Sequence, residues 1–215
     1  HPSPGHDRDS VLNAAAWYFQ NTPDFVFRPL YRLDRDTTGA LVLAKNKFAA
    51  NAKLTKTYRA VCEGETPESG CVNVPIGLKP GHKVERCAGI GDEAVTEFQT
   101  VKTSGGYSLI DFHLKTGRTH QIRVHMSWQG HPLFNDERYG GDRILKGTTF
   151  SKYKQFIENC FAVMPRHALH AQSLGFVHPM THEAVYFESE LPDDFRALLE
   201  KWDTYAAASK ESDNG

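Results

Sequence analysis

The sequence predicts an α+β protein, and three observations carry that reading. Segments with the two-residue alternation of strands occur in mid-chain and again near the C-terminus. Segments with helical spacing stand before, between and after them. The two kinds mix without the regular strand-helix-strand order that a doubly wound sheet needs. The 215 residues are enough to bury a substantial core, and no repeat, low-complexity block or linker divides them. One cooperative unit over residues 1–215 is therefore expected.

Residues 10–20 place Val11, Leu12, Ala15, Ala16 and Phe19 at helical spacing behind Ser10, a candidate N-cap, and Asn21-Thr22-Pro23 ends the pattern. Residues 39–43 read as a short buried strand and 45–54 as helix-prone sequence rich in Ala and Lys. Strands are expected at 58–63, 97–101 and 107–114; the last sets Leu109, Asp111 and His113 against Ile110, Phe112 and Leu114. Thr119 can cap a helix that runs to Gln129, with Gly130 in the stop position and His131-Pro132 beyond it. Another short helix is expected at 152–160. Strands at 174–177 and 184–188 follow, joined by a polar turn, and then a final helix at 193–205.

Composition sets limits on function. The formal net charge is −1, so any surface for a polyanion must be local. Cys62, Cys71, Cys87 and Cys160 lie far apart with no Cys-x-x-Cys pair, which argues against a zinc ribbon, a redox motif or a disulfide scaffold and for a reducing cytoplasm. No apolar run is long enough to span a bilayer, and the first residues have neither the basic nor the apolar part of a signal peptide.

Two polar clusters stand out. Tyr31-Arg32-Leu33-Asp34-Arg35-Asp36-Thr37-Thr38-Gly39 lies between apolar stretches, where a polar turn with surface ion pairs is the ordinary explanation. The second, 115–125, crowds Arg118, His120, Arg123 and His125 into the mouth and first turns of an expected helix, next to Gly117, where backbone amides can meet an anion. Polar groups at that density are seldom packing alone.

In these clusters the chain resembles the RluA-type pseudouridine synthases. Tyr31 to Lys45 is similar to their first signature, His-Arg-Leu-Asp followed by Thr-Ser-Gly and Ala-Lys; Tyr31 stands for the His and Thr38 for the Ser. Lys56-Thr57-Tyr58-Arg59-Ala60 resembles the second, built on Lys-x-Tyr. Thr116 to His125, with Gly130-His131-Pro132 and Tyr139-Gly140, resembles the third. Leu169-His170-Ala171, Phe176-x-His178-Pro179 and Leu191-Pro192-x-Asp194-Phe195 match the closing strands and last helix. The family's first strand, with its Lys-Pro-x-Gly element, and the small N-terminal RNA-binding domain of many members have no counterpart in the sequence.

The resemblance implies a mixed, mostly antiparallel central sheet flanked by helices and loops. It also implies an isomerase that converts uridine to pseudouridine in RNA, ribosomal RNA before transfer RNA. Asp34 would be the nucleophile, Tyr58 the ring beside the target base and Arg123 the basic partner of Asp34. Arg32 would help displace the target nucleotide, and Arg118, His120 and Gln121 would meet the RNA. No cofactor or metal is implied, and a monomer is expected. An arginine beside Asp34 should favour its ionised form, and its fork suits a carboxylate better than a lysine does. Whether the carboxylate adds at the sugar's anomeric carbon or at ring carbon 6 stays open, as does a part for Tyr58 in removing the carbon 5 proton.

Two other classes compete. Eleven histidines, His113, His120, His125, His131, His167, His170, His178 and His182 among them, prompt a hydrolytic metalloenzyme. Zinc sites favour i, i+4 pairs, whereas His120 and His125 are five apart and His178 and His182 flank a turn. A non-catalytic RNA-binding module is the other, with Lys45, Lys47, Lys53, Lys56, Arg59, Lys79, Lys83 and Arg86 along a groove. Such a binder has no use for Asp34, Tyr58 and Arg123 together.

Overall fold

The computed structural model describes residues 8–213 apart from 24, 27, 105 and 145–150. Helix α1 (Val11–Tyr18) starts at Ser10, whose side chain accepts from the Asn13 amide while the Asn13 side chain accepts from Ser10 in return. Two short strands, β1 (Arg28–Pro29) and β3 (Leu43–Ala44), pair with each other. Between them β2 (Thr38–Gly39) leaves to join the main sheet. The single strand expected at 39–43 is thus two fragments in different sheets.

The expected helix at 45–54 is only a 3-10 turn at Ala49–Asn51. Its composition is helical, but Phe48 is 56% exposed, so no apolar face is buried to stabilise a helix this short. The chain instead enters β4 (Leu54–Glu63) four residues before the expected strand start. Strands β5 (Ser69–Asn73), β8 (Val95–Ser104) and β9 (Tyr107–Leu114) follow in the main sheet, and β6 (Ile76–Leu78) with β7 (Arg86–Ala88) forms a separate hairpin. Helices α2 (Gln121–Trp128) and α3 (Ser151–Val163) precede β10 (Leu169–Val177) and β11 (Ala184–Glu188), and α4 (Asp193–Asp213) comes last.

The main sheet runs β11-β10-β4-β9-β8-β5, antiparallel throughout, and β2 adds to β10 in parallel. Its pairings set Gly39, Ala171, Tyr58, Phe112, Phe98 and Gly70 in one row across six strands. Gly39, at φ +109°, is required there, because a Cβ would lie 2.3 Å from the Ala171 carbonyl oxygen. The two-residue alternation sends Tyr58, Ala60, Ile110 and Phe112 to one core with Ile122, Met126 and Leu133. Val61, Tyr107 and Leu109 go to the other face, against Ile157, Met164, Phe195, Leu198 and Trp202 of α3, α4 and the segment between. The first face is the one on which Asp34, Tyr58 and Arg123 meet.

Among the described residues no helix is long and apolar enough to cross a membrane.

Candidate active site

Asp34 lies in a turn closed by the Thr37 amide donating to its carbonyl at 3.0 Å. The loop is held from the β10 side at three points. Thr37 Oγ1 meets His167 Nε2 at 2.9 Å, Thr38 Oγ1 meets His170 Nδ1 at 2.8 Å, and Arg166 Nη1 donates to the Asp36 carbonyl at 3.0 Å. His170 Nε2 lies 3.1 Å from the Ser189 carbonyl, which can only accept, so neutral His170 carries its proton on Nε2 and receives the Thr38 hydroxyl on Nδ1. Burial lowers the His170 pKa and so keeps it neutral. Burial, then the Arg123 charge, pushes His167 down to about 4.

Helix α2 supplies the opposite wall. Thr119 does not cap it: the N-cap is His120, in the left-handed region at φ +58°, and no side chain caps the amides. The turn before it is closed by Gln121, whose Oε1 accepts from Thr116 Oγ1 and the Arg118 amide, both at 2.9 Å. Its Nε2 donates to the Val95 carbonyl and Thr96 Oγ1. Gln121 thus spends its amide on the protein and fixes how α2 leaves β9. His120, tilted inward by its unusual backbone, sets Nδ1 2.6 Å from the Tyr139 hydroxyl and Nε2 3.9 Å from Asp34 Oδ1. Burial lowers its pKa, Asp34 pulls it back and Arg123 pushes it down, for a net fall.

Arg123 is 6% exposed and donates from Nη1 to Asp34 Oδ2 at 3.0 Å. Nε and Nη2 donate to Asp136 at 2.7 and 2.9 Å, and Cζ lies 5.0 Å from the Tyr139 ring centre. Burial works against the Arg123 charge, but the bonds to Asp136 and then Asp34 outweigh it and raise its pKa. Tyr58, also buried, has its phenol pKa raised by burial and then by the nearby Tyr31 and Asp34 charges, so it stays protonated at neutral pH.

Arg32, Asp34, Tyr58, Arg118, His120, Gln121 and Arg123 line one pocket, whose apolar wall is Leu33, Leu114, Ile122 and Leu169. Among the described residues Asp34 is its only acidic lining residue, so the seven residues chosen from the sequence converge on one carboxylate. Arg32 is exposed, and Arg118 is turned toward the Glu93 carbonyl. His125 faces away, bonded to Thr96 Oγ1 and the Val74 carbonyl. Asp136 is not singled out by the sequence and His167 only as one of many histidines; Tyr139-Gly140 of the third motif, three residues beyond Asp136, is the nearest signal. No group of three His, Cys, Asp or Glu among the described residues is arranged to hold a metal ion. A larger open groove of about 610 Å³ lies behind Tyr139, where Lys79, Arg86, Arg138 and Arg143 face Glu85, Glu137 and Asp142.

A family model described as RNA pseudouridylate synthase matches residues 3–128. The chain is 37% identical over 232 aligned residues to an uncharacterized RNA pseudouridine synthase of Chlorobaculum parvum, covering 98% of this chain and 70% of the relative. It is 36% identical over 217 to ribosomal large subunit pseudouridine synthase D of Vibrio parahaemolyticus, covering 93% of this chain and 63% of that one. Among solved structures, human RNA pseudouridylate synthase domain containing 1 superposes with a TM-score of 0.63 at 27% identity, over 89% of this chain and 78% of that one. Human RNA pseudouridylate synthase domain containing 4, at 24% identity, shares the fold with a TM-score of 0.64 over 90% and 82%.

Likeness of sequence and of fold together define the class, an isomerase that acts on RNA. The chain belongs to the RNA pseudouridylate synthase family, on its RluA-type branch.

Proposed function

We propose that this chain converts uridine to pseudouridine in structured RNA, ribosomal RNA before transfer RNA, by flipping the target base into the pocket and attacking with Asp34. The supporting observation is the pocket itself, lined by one carboxylate that an arginine pairs, with a buried phenol beside it. A stacked uridine cannot reach such a recess; extruding it costs on the order of a few kcal/mol, least where it is unpaired. Arg32 and Arg118 at the mouth suit phosphate contacts, and His120 suits a contact to the flipped nucleotide.

With the base inside, Asp34 adds at the anomeric carbon or at ring carbon 6, the bond from N1 to the sugar breaks, and the uracil rotates and rejoins the sugar through carbon 5 while the bond to Asp34 breaks and frees its carboxylate. The carbon 5 proton leaves and N1 gains one, so the product is an isomer and no external reagent is consumed. A phenol held protonated is a poor resting base, which favours Tyr58 as the flat face against the uracil. Arg123 keeps Asp34 aimed through its Nη1 hydrogen bond. We read residues 1–215 as one catalytic domain acting as a monomer without a cofactor. The ribosomal preference follows the name of the Vibrio relative.

Release of tritium from RNA labelled at uridine carbon 5 tests the reaction. The wild-type protein should release it, and Asp34→Asn or Asp34→Ala should release none while keeping the fold and most RNA affinity, because binding comes mainly from phosphate contacts. Turnover by an Asp34→Ala protein free of wild-type contamination would remove Asp34 as nucleophile. Mapping pseudouridines in cells lacking the gene tests the choice of RNA.

A further inference from the structure

Arg123 has three nitrogens to offer, and Asp34 receives one of them. Nε and Nη2 both go to Asp136, the shorter bonds of the set, and only Nη1 turns to Asp34. Asp136 is 1% exposed and is not a lining residue of the pocket. Its own position is fixed by backbone. Its amide donates to the Leu133 carbonyl, and its carbonyl accepts from the amides of Tyr139 and Gly141. Gly141 lies so close that a Cβ there would sit 1.8 Å from the Leu133 carbonyl oxygen. The turn therefore holds one path, and the carboxylate one direction.

A two-toothed pair sets the plane of a guanidinium as well as its distance. As the three side chains stand, Asp34 receives a single hydrogen bond, from Nη1 to Oδ2, and not a two-toothed grip. Asp34 Oδ1 has no short hydrogen bond to the protein among the described residues, and His120 Nε2 lies 3.9 Å from it. The three side chains together carry one net negative charge, so the guanidinium's charge is shared between two carboxylates.

We propose that Asp136 is a positioning residue for the isomerisation, occupying two nitrogens of Arg123 so that the third steers Asp34 without clamping it. The proposal rests on the reading of Asp34 as nucleophile.

The test is single-turnover kinetics with saturating enzyme on ribosomal RNA transcribed with uridine tritiated at carbon 5. Asp136→Asn should lower the rate about a hundredfold, the scale of a small misplacement at a reacting centre, with RNA affinity and its salt dependence unchanged. Added to Arg123→Lys it should cost little more, because both act through one guanidinium. A residue needed only for folding would lower thermal stability, leave the rate per folded molecule near wild type and give losses that multiply; that result overturns the proposal. If Asp136→Asn does not fold, the Arg123 Nε–H resonance of an Asp34→Ala protein decides instead. It should remain slow to exchange with solvent, since Asp136 alone holds it, and rapid exchange overturns the proposal. Activity in Asp34→Ala would sink the nucleophile reading, whereas an inactive Asp34→Ala beside a near-normal Asp136→Asn sinks only this inference.

Discussion

Arg123 and Arg166 grip one loop from opposite sides with the same device. Each spends Nε and Nη2 on a single carboxylate, Asp136 for Arg123 and Asp194 for Arg166, and turns Nη1 to the segment 34–37. The targets differ. Nη1 of Arg166 meets the Asp36 backbone carbonyl, an inert group, whereas Nη1 of Arg123 meets the Asp34 carboxylate. A third fork, Arg59 on Asp111, belongs to β4 and β9 but touches nothing in the loop, and its side chains are about a quarter exposed. Scaffold and site thus share one kind of ion pair, and what the spare nitrogen meets decides which of the two it serves.

Arg123→Lys should separate the two arginines most clearly. The charge stays but the fork is lost, so the single-turnover rate should fall on the order of a hundredfold, with RNA affinity and its salt slope nearly unchanged. Arg59→Lys should leave the rate alone. A near-normal rate for Arg123→Lys with a shallower salt slope would make Arg123 a phosphate-binding residue.

Acid should loosen both grips. His167 lies between them, bonded to Thr37 and facing the Arg123 charge, and is neutral in the fold with a pKa of about 4. Unfolded, it titrates near the ordinary value of about 6.5, so between those values the unfolded chain binds more protons and stability falls as pH falls. The loss from this residue should be on the order of 2 kcal/mol between pH 7 and pH 5. His120, His125 and His170, also lowered, add to it in the same direction. Urea unfolding at the two pH values measures the loss, and His167→Gln should flatten it; equal losses in both proteins would acquit His167.

Arg166→Lys should matter less. It removes a fork that is 14% exposed on the arginine side, so we expect about 1 kcal/mol of stability and under a tenfold loss of rate. A rate loss equal to that of Arg123→Lys would show that holding the loop, not addressing Asp34, limits the chemistry. The smallest expected effect is that of exhaustive chelation, which should leave the rate unchanged; loss restored by zinc or magnesium on prefolded RNA would revive a metal site.

Where local pattern and burial agree, the sequence was legible. β9 and β11 have the bounds that alternation predicts, and Ser10 caps α1 as expected. Where propensity stood without a buried face, at 45–54, the expected helix did not form. The short β2 was hidden because its pairing partner, β10, lies more than 130 residues away. The pocket was legible because its polar residues cluster in two short segments and resemble family signatures. Asp136 was not: a lone Asp in a turn looks like any surface turn, and only the 2.7 Å approach to Arg123 gives it meaning. Gln121 could be chosen for its place but not for its role, since an amide offers itself equally to RNA and to its own backbone.

The row Gly39, Ala171, Tyr58, Phe112, Phe98 and Gly70 makes the sheet a measuring scale for the reaction. Asp34 sits in the turn that leads into β2 and Tyr58 on β4, with only β10 between the two strands, so the register of β2 and β4 is counted in whole residues. One notch of slippage would displace the loop by roughly 3.3 Å and send alternate side chains to the wrong face. Such a scale admits no intermediate reading. The enzyme therefore gains or loses the alignment of carboxylate and ring all at once, and substitutions at either glycine end of the row, far from each other, should act as errors of calibration rather than of chemistry.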